Sequence, residues 1–318
     1  AEQRLASDIN QSVIDQASYY GGIFIKRAAA ATGFDDVAQI EAAFNETGVQ
    51  FEDRKLVLST RDYNGMASDL QKNTRSFGDP ISNEALRRAS VGMVASFDTY
   101  KADYLRRKAA AAGGGSLTID TRDAAVNYLV PKATSTAATG ETNNVDNRFQ
   151  TITISSTTSV AAGDAFTIAA VNRVHLITKE DTGQPMTFRV VSVPSGTTLV
   201  ITPPIISNQV AGAASAQYQN CVVNTTSATS AITFLNTVAG YMNPFWQKDA
   251  IEILPGRLAV PNDSGAAVMR ATTDNGVEVV MQKQFDINTQ KTKFRVDTLY
   301  GMVNKQPSMS GVVMFSQT

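Results

Sequence analysis

The 318-residue chain has one cysteine, one histidine and one tryptophan. Cys221 has no partner for an internal disulfide, and a lone thiol suits a reducing cytosol. A small buried apolar role fits it better than a nucleophilic one. His175 has no companion histidine or cysteine, so the ligand set of a zinc site is missing. The chain carries no Walker loop, HExxH, CxxC, GxSxG elbow or dinucleotide fingerprint. No apolar run reaches the ~20 residues that span a bilayer, and no secretory signal is present. Charged residues make up 18% and the formal net charge is -1. That excludes a strong global field toward nucleic acid or an anionic membrane. It also suits surfaces that end up covered by other subunits.

What is present is enough for a core. The sequence is 43% hydrophobic, which argues against wholesale disorder. The length fits two domains, or one with a large insertion. Residues 143–204 organise the rest. Gln150, Ile152 and Ile154 alternate with Phe149, Thr151 and Thr153, the period of a half-buried strand. A turn at Ala161-Ala162-Gly163-Asp164 leads to a second strand with Phe166, Ile168 and Ala170 on one face. Phe188, Val190 and Val193 mark a third strand and Leu199-Val200-Ile201 a fourth, stopped by Pro203-Pro204. Short strands so spaced predict a small barrel or sandwich.

Before that stretch, Leu5, Ile9 and Val13 predict one helix over 1–31, about 45 Å long if the Gly21-Gly22 pair does not kink or stop it. Further helices are predicted at 35–45, closed by Gly48, at 61–71 with Thr60 as cap, and from Ser82 or Asn83 through Arg87-Arg88. Strands are predicted at 55–59 and 91–97. The Gly113-Gly114-Gly115 run after four alanines reads as a linker. Residues 208–230 read as a loop with one strand, QNCVVN. After residue 243 the chain is strand-rich, with a hairpin tip at Asn288-Thr289. On the strand after that tip, Lys291, Lys293 and Arg295 form a wet face opposite Phe294 and Val296. Trp246 is expected in a core.

Two stretches carry a resemblance. NNVDNRFQTITISSTTSVAAGDAFTIAAV (143–171) resembles the inserted domain in coat proteins of P22-like tailed bacteriophages. NPFWQKDAI (243–251) is similar to the return from that insertion into the capsid shell domain. The signature positions are Asp146, Arg148, Phe149, Gly163, Asp164, Phe245, Trp246 and Asp249. The resemblance implies an α+β, HK97-like capsid subunit with a long spine helix and an inserted small β-barrel. Residues 1–115 would be the spine helix with the peripheral and axial shell parts, 116–240 the insertion, and 241–318 a strand-rich return. It implies a major capsid protein that self-assembles, as pentamers and hexamers, into the icosahedral shell of a double-stranded DNA phage. Its implied partners are scaffolding protein, a portal and, by weak contact, the packaged DNA. It implies no cofactor, metal or membrane, and assembly in the host bacterial cytoplasm. The family's N-terminal arm and extended loop are not found ahead of the helix, and the chain starts without methionine, so upstream residues are expected to be missing or cleaved.

Two loops follow from the resemblance as candidate sites. One, with Thr139, Gly140, Glu141 and Asn143, matches a family loop that reaches a neighbouring capsomer through acidic residues. Here only Glu141 is acidic within the run, a departure from that pattern, and a mobile loop is the alternative. The other, residues 172–186 with His175, Lys179, Glu180 and Asp181, matches a family loop implicated in capsid geometry. Two other classes stay open beside the shell protein. A hydrolase with an accessory β domain needs convergent reacting groups, and the acids here are scattered. A β-rich module for sugars or a receptor would display an aromatic ladder, which is not apparent.

Overall fold

The amphipathic stripe of Leu5, Ile9 and Val13 forms helix α1 (Glu2–Tyr20). The helix stops there, not at residue 31: Gly21 N closes the last turn on Ala17 O (3.1 Å), and Ile23–Lys26 then pair as a strand with Gly311–Met314. This computed structural model describes residues 2–73, 91–112, 117–120, 134–144, 148–207, 218–224, 230–260, 266–273 and 276–317. The helix expected from residue 82, its Arg87-Arg88, Gly113 and Asp146 lie outside them.

From α1 the order is β1 (Ile23–Lys26), α2 (Phe34–Thr47), β2 (Arg54–Ser59), α3 (Thr60–Asn73), β3 (Met93–Val94), β4 (Phe97–Ala102) and β5 (Arg107–Lys108). Then come β6 (Thr134–Thr136), β7 (Thr142–Asn144), β8 (Gln150–Thr153), β9 (Ala165–Val174), β10 (Asp181–Ser192), β11 (Thr198–Thr202), β12 (Cys221–Val223) and β13 (Ile232–Phe234). The last part holds β14 (Gly240–Tyr241), β15 (Asn243–Gln247), β16 (Ile251–Pro255), β17 (Ala267–Thr272), β18 (Glu278–Asp286), β19 (Lys291–Thr298), β20 (Tyr300–Asn304) and β21 (Ser310–Met314). Few helices and many strands make this a mixed α+β chain.

One sheet runs β1-β21-β15-β2-β4-β3 and mixes parallel pairs (β1 with β21, β2 with β4) with antiparallel ones. Helix α2 packs Val37, Ile40 and Phe44 on it, and the Phe44 ring meets Phe97 and Phe245 at 5.5 and 5.2 Å. Arg54 is buried beside these rings. It is held by Val49 O (2.6 Å), Gln50 O (2.7 Å) and Asn45 Oδ1 (2.9 Å), and burial lowers its pKa. Residues 91–97 are not one strand: the chain turns back between β3 and β4 at Ala95 and Ser96, which take positive φ of 43° and 63°. The hydroxyl that accepts from the start of α3 belongs to Ser59, through Asp62 N (3.2 Å), one residue before the expected cap.

A second sheet runs β12-β9-β10-β11-β8, with β13 also on β9. Isolated bridges Thr118–Ala231 and Ile119–Ile154 join its far ends, so backbone pairing travels round in a closed circuit. Ile152, Ile154, Phe166, Ile168, Phe188, Val190, Leu199 and Ile201 fill the centre. The expected alternation holds along β8. Along β9 it breaks at Ala170, which takes φ 62°, so Val171 turns inward in place of Ala170. The expected loop at 172–186 is mostly strand: β9 and β10 run on to a tight tip at 175–180.

β5 pairs with β14, which brings 107–108 beside 240–241. Three strands, β17-β18-β19, form a separate antiparallel sheet. Cross-strand register puts Met269, Met281 and Val296 on one line, and Lys283 and Phe294 on the next. This apolar face is open: Met269 is 64% exposed and Phe294 63%. Phe294 therefore has no core behind it, contrary to the sequence expectation. Trp246 is only half-buried, packed against Ile14, Val57, Ala102 and Leu105 on the rear of the first sheet.

Candidate functional site

Two sheets with separate cores can act as one body only if the contact between them is specific. Part of that contact is apolar, with Phe24, Ala165, Met242, Val312 and Met314 buried together, and part is polar. Asp164 is 1% exposed and accepts from Lys108 Nζ (2.9 Å), Asn236 Nδ2 (3.0 Å) and Ala161 N (2.8 Å). Three donors on one carboxylate offset the desolvation that makes a buried charge costly. Lys108 also donates to Ala162 O (2.8 Å). Asn236 uses both ends of its amide, donating as well to Ala109 O (3.2 Å) and accepting from Ala165 N (3.0 Å). The residues leaving β5 and those entering β9 are thereby fastened to each other.

Beside it, Arg189 crosses from β10 to the end of α1. Its Nη2 donates to Ser18 O (2.5 Å), and its guanidinium lies 5.3 Å from the Phe24 ring centre. The last turn of α1 has no basic residue of its own. A helix C-terminus has free carbonyls and a partial negative charge, and Arg189 supplies the cation. Burial pushes its pKa down to about 10, with Asp164 opposing, so it stays charged at neutral pH. Its Nε and Nη1 are buried with no hydrogen-bond partner among the described residues. Thr187, two residues earlier, donates to Gly22 O (2.6 Å) and accepts from Phe24 N (3.0 Å), capping the passage from α1 to β1. Tyr20 meets Phe149 at 5.8 Å. Gly163, at φ 84°, lies so close to Tyr19 that a Cβ there would come within 2.9 Å of the ring.

The 175–180 tip makes a second contact, on α2. Leu176 N donates to Thr47 O (2.9 Å), a carbonyl the helix end leaves free. Gly48 closes α2 at φ 84°, and a Cβ on it would lie 2.6 Å from His175 Nε2. His175 Nδ1 accepts from Ile177 N and Thr178 N (3.3 and 3.2 Å), which holds the tip in shape. Lys179 Nζ donates to Gln219 O (3.0 Å), and burial lowers its pKa. Glu180 O accepts from His175 N (3.0 Å). Burial would raise the Asp181 pKa, but hydrogen bonds from Gly183 N, Asn172 and Asn224 outweigh it and hold the group below the usual carboxylate range.

The structure brings some of the sequence-derived positions together and leaves others apart. Arg148, Phe149, Gly163 and Asp164 all lie at or beside the contact with α1. Phe245 is in the core of the first sheet, and Asp249 N donates to Gln247 Oε1 (2.6 Å) in the turn that follows β15. Thr139, Gly140, Glu141 and Asn143 belong to an exposed β6–β7 hairpin, closed by Ala137 N to Glu141 O (2.8 Å). Lys108, Thr187, Arg189 and Asn236 were missed by sequence reasoning. A signal existed for one: Arg189 interrupts the apolar run Phe188, Val190 and Val191, on the face opposite the inward residues. Chemically this site fixes two bodies in place. Cys221 is buried and its thiol is pushed up to about 12.

A family model described as P22 coat protein, gene protein 5, matches residues 1–316. Among solved structures, the I-domain of the CUS-3 coat protein is 42% identical, over 39% of this chain and 99% of that one, with a TM-score of 0.27. The capsid structure of the cyanophage P-SCSP1u aligns with 100% of this chain and 67% of that one, at 12% identity and a TM-score of 0.34.

Proposed function

Since the chain belongs to the P22 coat protein family and is a major capsid protein that builds a multimeric phage shell, we propose that it works through shape, as an HK97-like subunit with an inserted β-barrel. In this reading 1–115 and 241–318 are the shell part, with α1 as spine, and 116–240 is the insertion. The closed pairing circuit of the second sheet supports a barrel, and the β5–β14 pair supports an entry and exit lying side by side. The Asp164, Arg189 and Thr187 contacts then hold the barrel rigidly on the spine, so that copies present the same edges each time. Closed symmetric assembly needs that repetition. Scaffolding protein, a portal and weakly held double-stranded DNA are the further partners in this reading, with assembly in the host cytoplasm. The exposed β6–β7 hairpin, with Thr139, Gly140, Glu141 and Asn143, and the α2-docked tip with His175 are its candidate contact loops.

The single observation that carries the geometric reading is the open face of the β17-β18-β19 sheet. An isolated subunit normally turns such a face inward and leaves the polar one wet. Here Met269, Phe285 and Phe294 are exposed, while Val280 on the polar face is buried. A second copy of the chain covers the apolar face in the assembled shell. Replacing Met269 and Phe294 together by serine tests this. Removing exposed side chains should change subunit stability by no more than about 0.5 kcal/mol. Particles seen by electron microscopy should become scarce. Undiminished particle yield would remove this face from the assembly interface.

A further inference from the structure

The β17-β18-β19 sheet has two open edges among the described strands, and they are built differently. β19 carries Lys291, Lys293 and Arg295, the last two held by Asp286 and Asp297, and charged side chains along an edge keep other strands away. β17 reads AVMRAT and has none of the usual guards. It holds no proline or lysine. Its residues pair with β18 without a register shift, so no bulge twists the edge away. Its one charge, Arg270, is folded back onto its own sheet, with Nη1 on Glu278 Oε1 (2.8 Å) and Nη2 on Leu258 O (2.9 Å). Every residue of β17 is exposed. The hairpin fixes where its backbone points. Thr273 N donates to Val277 O (3.0 Å), so residue 273 faces β18. By the alternation of an antiparallel ladder, 271, 269 and 267 face β18 too. The N–H and C=O groups of Val268, Arg270 and Thr272 therefore point outward, where no described strand pairs with them.

We propose that β17 pairs edge to edge with β17 of a second copy, antiparallel and centred on Met269. The inference rests on the reading of the chain as a subunit that meets copies of itself, and it adds where and in what register they meet. Centring on Met269 sets Val268 against the partner's Arg270, and these outward-facing residues exchange N–H···O bonds on both sides of a two-fold axis. Ala267 then meets the partner's Ala271, and these small residues leave room at the axis for both methionines. Centring on Arg270 would set like charges directly opposite, which destabilises a strand pair. Centring nearer either end pairs fewer residues of the strand. The axis stands perpendicular to the sheet, so the open apolar faces of the two copies, each with Met269, Met281 and Val296 in line, join into one. An isologous pair also closes: both unguarded edges are used up and no free one is left to start a fibre. A few main-chain hydrogen bonds are weak alone, so the pair forms in the particle, where other contacts add to it.

Disulfide trapping in assembled particles tests it, and the one native thiol, Cys221, is buried and gives little background. Met269→Cys puts two thiols across the axis, in a pair whose Cα atoms stand about 4.5 Å apart, within reach of a disulfide. Oxidised particles of this variant, run on a denaturing gel without reductant, should give covalent dimers and no longer ladder. Ala271→Cys should give monomers, because the same residue of the partner lies about 13 Å away along the strands. Particles mixed from Ala267→Cys and Ala271→Cys chains should link again. Val268→Pro removes an outward N–H and leaves the bonds to β18 in place, so the subunit should fold as before by circular dichroism and particle yield should fall. Met269→Cys particles that stay monomeric on the gel would overturn the edge pair and leave the shell reading standing. Equal linking through positions 269 and 271, or undiminished yield with Val268→Pro, would overturn it as well. Failure of the unaltered chain to form particles would sink both readings.

Discussion

Asp164→Asn is the sharpest perturbation of the junction. The substitution keeps the shape and removes the charge. It also turns one acceptor oxygen into a donor that faces donors, since Lys108, Asn236 and Ala161 all donate to this group, at 2.9, 3.0 and 2.8 Å. Lys108 is left with its side chain 11% exposed and without its carboxylate. Breaking a buried pair from one side costs about 3–5 kcal/mol. Lys108 retains Ala162 O at 2.8 Å, so the low end applies, about 3 kcal/mol. That is a large share of a typical domain's stability. Urea unfolding of the unassembled chain, followed by circular dichroism, reads the loss as a lower midpoint. Lys108→Met should cost a similar amount, and the double variant should be less destabilised than the two singles summed, by about 1–3 kcal/mol. Additivity within about 0.5 kcal/mol, or a loss below about 1 kcal/mol for Asp164→Asn alone, would refute the claim that this pair holds the junction.

Gly48→Val should destabilise the chain by about 2 kcal/mol or more, because φ 84° strains a branched residue and its Cβ meets the His175 ring; a His175→Ala background should recover part of that loss in the same urea assay. Asp181 has a folded pKa below its ordinary 3.8, so its contribution to the 175–183 tip is complete above that value and is lost as pH falls through the folded pKa. Hydrogen exchange at Gly183 N should therefore accelerate on acidification below that window, and Asp181→Asn should flatten the pH dependence. With its thiol near 12 and no exposed surface, Cys221 should resist a thiol reagent at pH 8 until denaturant is added. Fast labelling of the native chain would contradict the burial.

Much of the fold was legible in the residues because local rules governed them. The alternation of Ile152, Ile154, Phe166 and Ile168 located β8 and the first half of β9, since one face is core and the other is not. Gly48 marked the end of α2 for the same kind of reason, a backbone conformation that few other residues accept. Misreadings fell where a distant partner overrode the local pattern. The stretch 23–26 continues a helical stripe in sequence, yet it becomes β1 because β21, nearly three hundred residues later, offers a parallel edge from Gly311 to Met314. Residues 172–186 match a family loop by resemblance, but cross-strand pairing of β9 with β10 extends through most of them. Phe294 was read as inward because its neighbours alternate, and alternation reports two faces without telling which is covered.

The chain's order alone determined the identity-bearing stretches, the strand alternation and the scarcity of reactive groups, because each depends on near neighbours or on composition. The tertiary structure alone decided that Arg189 caps α1 and that Asp164, Lys108 and Asn236 converge, at separations of 171, 56 and 72 residues along the sequence. A buried charge is tolerable only where partners surround it in space, and no one-dimensional pattern encodes which distant residues those partners will be.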